Sequence, residues 1–170
     1  FYIFLIVKRI FFLFFIVTFL KNREEKIMLS HVVNPKDILI RKNHNKNVKS
    51  QILHKSEDEN AINIAIVAEG FTEAEMSNFL NKANEVVIEL FKHDAFRKHK
   101  EVFNIIAVQT ISEESGVSNP HKNIWNNSVL QSNFGTFYSE RYLTTSRVKN
   151  LHNQLAGTSY EHIIILANTN

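Results

Sequence analysis

The chain of 170 residues contains no cysteine, two prolines, four glycines and one tryptophan. Without cysteine there is no disulfide, no thiolate metal site, no Cys nucleophile and no lipidated Cys anchor. The compartment stays open, because a domain with an adequate core needs no staples in an oxidising space. The scarce glycines form no phosphate loop: Glu69-Gly70 carries a single glycine where a Rossmann turn has G-x-G-x-x-G. No G-x-S-x-G elbow occurs, and Ser115-Gly116 has no base at a recognisable spacing. Charge of one sign is also scarce, with 20 basic against 17 acidic residues and a net charge of +3. The densest basic run, RKNHNKNVK at 41–49, is Asn-rich and lacks aromatics to stack bases. It reads as a solvated linker, and no nucleic-acid partner is expected.

Eight histidines are present, at 31, 44, 54, 93, 99, 121, 152 and 162. None belongs to an H-E-x-x-H motif and none stand three or four apart as helical zinc ligands do. Each reads as a surface or locally hydrogen-bonded residue, so no metal site and no catalytic residue are expected within these 170 positions.

Long hydrophobic runs are confined to the start. Residues 1–20 are apolar except for Lys8, Arg9 and Thr18, and an eleven-residue apolar run follows Arg9. That length suits a signal-peptide core and falls short of the roughly 20 residues a membrane span needs. No small-x-small cleavage site follows. Residues 1–30 therefore read as a signal- or anchor-like segment with a polar flank, able to contact a membrane through residues 1–20. The other reading is an out-of-frame end, since the sequence opens on Phe1 and its first methionine is Met28.

Residues 31–60 read as a polar linker, with a short strand over 37–41. From Ala61 the composition changes. Residues 62–68 form a near-continuous apolar run, the pattern of a strand covered on both faces. Thr72 and Glu75 then make a T-x-x-E capping box. Met76, Phe79, Leu80, Ala83, Val86, Val87, Leu90 and Phe91 follow at helical spacing as a core-facing stripe. Residues 103–110 are a second strand and 160–168 a third. A helix over 146–156 with Val148, Leu151 and Leu155 on one face ends at Gly157. Between them lies a long aromatic-bearing loop, 112–144, of a kind that is functional when ordered. The order predicts an α/β fold, a mostly parallel sheet with flanking helices. Residues 69–70, 112–115 and 168–170 are expected together along the carboxyl ends of the strands, where open α/β sheets bind ligands.

Two side chains stand out there. Glu69, between a strand end and a helix start, suits a turn-stabilising carboxylate, a cation ligand or an acid–base group of a small-molecule hydrolase. Arg141, in the aromatic loop, suits either a carboxylate clamp or packing on Tyr138 or Tyr142. Neither identifies a substrate-binding residue.

A series of segments resembles the bacterial IgA-peptidase family of zinc metallopeptidases: INIAIVAEGFTEAE at 62–75, FKHDAF at 91–96, FNIIAV at 103–108, SEESGVSNP at 112–120, SNFGTFYSERYLTT at 132–145 and YEHIIILAN at 160–168. NPKDILI at 34–40 resembles the tail of a small β-domain that precedes the peptidase domain in many members. The resemblance implies the N-terminal part of a zincin-like catalytic domain over 61–170, with 31–60 a linker or a remnant of that β-domain. It implies a secreted, periplasmic or membrane-anchored endopeptidase acting on protein or peptide substrates. In the family, zinc is held by an H-E-x-x-H helix downstream of the strand matched at 162–168. The chain is thus expected to be an incomplete domain, inactive alone and binding no zinc. The alternative is a non-catalytic, membrane-tethered α/β binding module that uses the loop 112–144.

Overall fold

The computed structural model describes residues 2–8, 11–19, 25–34, 36–37 and 48–169. The chain divides into two compact units, Phe1–Lys42 and Asn43–Asn170. In the first, β1 (Tyr2–Lys8), β2 (Phe11–Phe19) and β3 (Glu25–Val33) form an antiparallel sheet in that order. A register irregularity falls between Ile16 and Val17. The described residues of the segment read as signal- or anchor-like, 2–8, 11–19 and 25–30, are thus extended strand. Among the described residues no helix is long and apolar enough to cross a membrane. Of the strand read over 37–41, all but Asp37 lies outside the described residues.

The second unit is an α/β layer around one mixed sheet. Its strands are β4 (Lys49–His54), β5 (Ile62–Glu69), β6 (Phe103–Gln109) and β9 (His162–Ala167), in the order β4-β6-β5-β9. β5 is parallel to both β6 and β9, whereas β4 runs antiparallel to β6. β4 comes from the stretch read as linker. Four of its six residues are exposed, so its polar composition hides an edge strand whose bonds are made by backbone.

β5 is apolar on both faces because both are covered. Ile64, Ile66 and Ala68 face α1 (Met76–Leu90), packing with Phe71, Phe79, Ala83, Val87, Ile105 and Ala107. Ala65 and Val67 face the other way, packing with Val108, Leu130, Leu151 and Leu155. All eight residues of the expected stripe of α1 join the first cluster, fully or partly buried. A 3-10 turn, Glu73–Glu75, separates Thr72 from α1, and a one-turn helix α2 (Asp94–Arg97) precedes β6.

α3 (Val148–Gln154) is shorter than expected. Leu151 and Leu155 are buried as predicted, but Val148 is exposed. Its end of the helix makes polar contacts instead: Asn150 Nδ2 donates to the Val129 carbonyl at 2.6 Å, and Arg147 Nε to Gln131 Oε1 at 2.7 Å. Gly157, at φ +89°, adopts the left-handed conformation expected after the helix.

The loop between β6 and α3 is ordered by hydrogen bonds. It holds a short ribbon of β7 (Asn133–Phe134) and β8 (Leu143–Thr144) and isolated bridges Ser118–Asn133 and Asn119–Ile124.

Candidate functional site at the carboxyl ends of the strands

Where β5 ends, the chain turns through Gly70 at φ +72°. A Cβ there would lie 2.6 Å from the Gly116 carbonyl oxygen, so two backbones touch where only glycine fits. Gly116 N–H donates to the Gly70 carbonyl at 2.8 Å. Ser112 Oγ accepts from Gly70 N–H and Val129 N–H, both at 3.0 Å. Asn168, just past β9, donates its N–H to the Glu69 carbonyl at 2.8 Å. Its amide Nδ2 reaches the Gly70 carbonyl at 3.1 Å, Ser115 Oγ at 3.2 Å and Glu75 Oε1 at 3.3 Å. Positions 69–70, 112–115 and 168 therefore meet, as expected; Asn170 lies outside the described residues.

Glu69 occupies the last position of β5 on the same face as Ala65 and Val67, and it is fully buried. Ser128 Oγ donates to its Oε1 at 2.7 Å, Ser132 N–H to Oε1 at 2.8 Å, and Leu130 N–H to Oε2 at 2.9 Å. A buried carboxylate is costly unless hydrogen bonds replace its water, and three donors do so here. The hydrolase reading is set aside: the carboxylate is sealed from solvent and engaged on both oxygens. The turn-stabilising reading holds in a wider form, because Glu69 grips a loop some sixty positions away.

That loop, 128–132, has its backbone accounted for nearly atom by atom. Besides the donors to Glu69, Gln131 N–H donates to the Ser128 carbonyl at 3.1 Å and the Thr145 hydroxyl to the Leu130 carbonyl. Leu130 plugs the core at 0 % exposure. Gln131 is held at φ +49°, a left-handed conformation that costs a non-glycine residue energy and persists only where its surroundings dictate it. Sequence reasoning missed Ser128, Gln131 and Ser132, whereas Ser112 and Asn168 fall within the segments it placed at this end. The signal available was Val129-Leu130, an isolated apolar pair in a polar stretch.

Glu75 is the second anchored carboxylate. Thr72 donates to its Oε2 from both backbone N–H and hydroxyl, each at 2.9 Å, and Ser115 Oγ donates to Oε1 at 2.8 Å. These bonds, the Thr72 N–H first and Ser115 next, hold its carboxyl below the usual 4.5, against a smaller opposing effect of burial.

Arg141 lies over the Tyr142 ring, its guanidinium carbon 5.9 Å from the centroid. Of its two readings the structure brings about packing; no ion pair to it occurs among the described residues. Phe137 and Tyr138 next to it are both exposed and both left-handed, at φ +54° and +59°. Trp125, the only tryptophan, is 68 % exposed. It lines an open groove of about 550 Å³ together with Glu114, Ser118, Pro120, Asn126, Asn127, Gln131 and Asn133.

Three of the described histidines make separate local contacts. His54 bonds the Lys100 carbonyl at 3.0 Å, His121 lies 3.6 Å from Glu140, and His152 bonds Tyr160 at 2.7 Å. Among the described residues no group of three or more His, Asp or Glu is placed to hold a metal ion. These residues do not supply the ligand set that a catalytic zinc requires.

No curated protein matches the chain. A family model described as IgA Peptidase M64 matches residues 51–170. The match begins inside β4 and takes in the rest of that strand, the other three strands of the mixed sheet, α1, the loop pinned by Glu69 and α3. The chain therefore belongs to the IgA peptidase M64 family and is a metallopeptidase-related protein.

Proposed function

We propose that residues 51–170 form the N-terminal part of a zincin-like catalytic domain in a zinc metalloendopeptidase acting on protein or peptide substrates. The observation that carries this reading is the family match over the whole α/β layer. Zinc and the water it activates belong, in this reading, to an H-E-x-x-H helix outside the 170 positions. The part played here is scaffolding: a layer in which β5 lies between two parallel neighbours and the buried carboxylate of Glu69 pins the loop at its carboxyl end. We also place the protein on the extracytoplasmic side, secreted or attached to the envelope. Lys8-Arg9 followed by an apolar run supports this.

The test is a zinc titration of the purified 170-residue chain, followed by metal analysis after dialysis and a casein-hydrolysis assay. No stoichiometric zinc and no hydrolysis are expected. A chain extended through the H-E-x-x-H motif in the coding sequence should show both. One zinc per chain with proteolysis from the 170 residues alone would overturn the proposal.

A further inference from the structure

We infer that the groove beside Trp125 binds an extended segment of polypeptide without acidic side chains, with the indole as its aromatic anchor. The inference rests on the peptidase reading for the class of ligand and on the groove for the site. Tryptophan is one of the side chains enriched among the anchoring residues of protein interfaces. Here it is the chain's only tryptophan, 68 % exposed, with exposed Ile124 beside it in sequence.

The lining is amide chemistry. Gln131 Oε1 is taken by Arg147 and Asn133 Nδ2 by the Phe134 carbonyl. The Asn127 amide nitrogen is taken by Glu113. That leaves Gln131 Nε2 as a donor, and Asn127 Oδ1 and Asn133 Oδ1 as acceptors, without protein partners among the described residues. Donors and acceptors of this kind match the alternating C=O and N–H of a main chain. No lysine or arginine lines the groove and the Glu114 carboxylate does, so a phosphate or carboxylate ligand finds no counter-charge and meets a like charge. The carboxylate of Glu114 accepts the Asn127 N–H. About 550 Å³ falls within the range of small-ligand sites and accommodates a few residues of peptide.

The floor is preorganised. Gln131 sits in its left-handed conformation because the residues on either side of it donate to Glu69. A rigid floor reduces the ordering cost on binding, which is where much affinity is otherwise lost.

Trp125 is also the reporter. The full 170-residue chain is titrated with a Trp-free polypeptide kept unfolded by reduction and neutral alkylation, and separately with maltohexaose and chitohexaose. A saturable blue shift of the indole emission with the polypeptide is expected. Calorimetry on Trp125→Ala should show binding weakened at least about tenfold, and Gln131→Ala should weaken it as well. Trp125→Ala removes an exposed ring, so its fold, checked by circular dichroism, is expected to be intact. No response to the polypeptide would overturn the inference. So would a response to the oligosaccharides alone, or polypeptide binding unaltered in Trp125→Ala. The readout needs neither zinc nor proteolysis, so this groove and the peptidase reading can fail separately.

Discussion

Two glutamates at the ends of one turn do different work, and each can be tested alone. Glu69→Gln keeps the shape of the side chain but replaces one acceptor oxygen by a donor. That donor would face Ser128 and Ser132, or Leu130, all of which donate to Glu69. Leaving a buried donor without its acceptor should cost about 2–4 kcal/mol, read as a lower urea midpoint. Hydrogen exchange at the Leu130 and Ser132 amides should accelerate well beyond that at Val67 in the strand interior. Glu75 gives a pH signature. Its pKa is depressed in the folded state, so its contribution is complete above about pH 4.5 and is lost as pH falls through the folded value. Melting temperature should therefore fall on acidification below about 4.5, and Glu75→Gln should flatten that limb while lowering stability at neutral pH.

At the scale of the element, α1 and β5 were legible because burial on fixed periods writes itself into composition. The 3.6-residue stripe from Met76 to Phe91 and the unbroken apolar run of β5 follow from which faces are covered. Phe79, at 0 % exposure between Phe71 and the sheet, is the centre of that contact. Phe79→Ala should cost about 3–5 kcal/mol in chemical denaturation, with no change in any surface property. β4 was illegible for the opposite reason. An edge strand held by backbone bonds and mostly exposed carries no periodic signal, so residues 49–54 passed for linker. The candidate site was half legible. Glu69 drew notice by its place after a strand, but its partners Ser128, Leu130 and Ser132 are joined to it only by the fold. No local pattern announces a contact some sixty positions away.

At the scale of the whole molecule, the sheet of the second unit has two unlike edges. β4 closes one with lysine, serine and glutamine and a single exposed Ile52, whereas β9 leaves Ile163, Ile164, Ile165 and Leu166 only half-buried on the other. An outer strand of that composition is a template for pairing with another strand. The purified chain should therefore associate with rising concentration, seen as increasing mass in sedimentation velocity. A monodisperse monomer across the concentration range would contradict this view of the β9 edge. The same topology sets a clock. β5 lies at the middle of the sheet, yet its partner on one side arrives late: Asn63 and Glu161, which bond at the start of the β5–β9 pairing, are 98 positions apart. At about 5–20 residues per second of synthesis, β5 spends roughly 5–20 s with that side bare. During that interval its run of isoleucine, valine and alanine is open to whatever holds nascent chains, and the closing of β9 onto it is the step on which native structure waits.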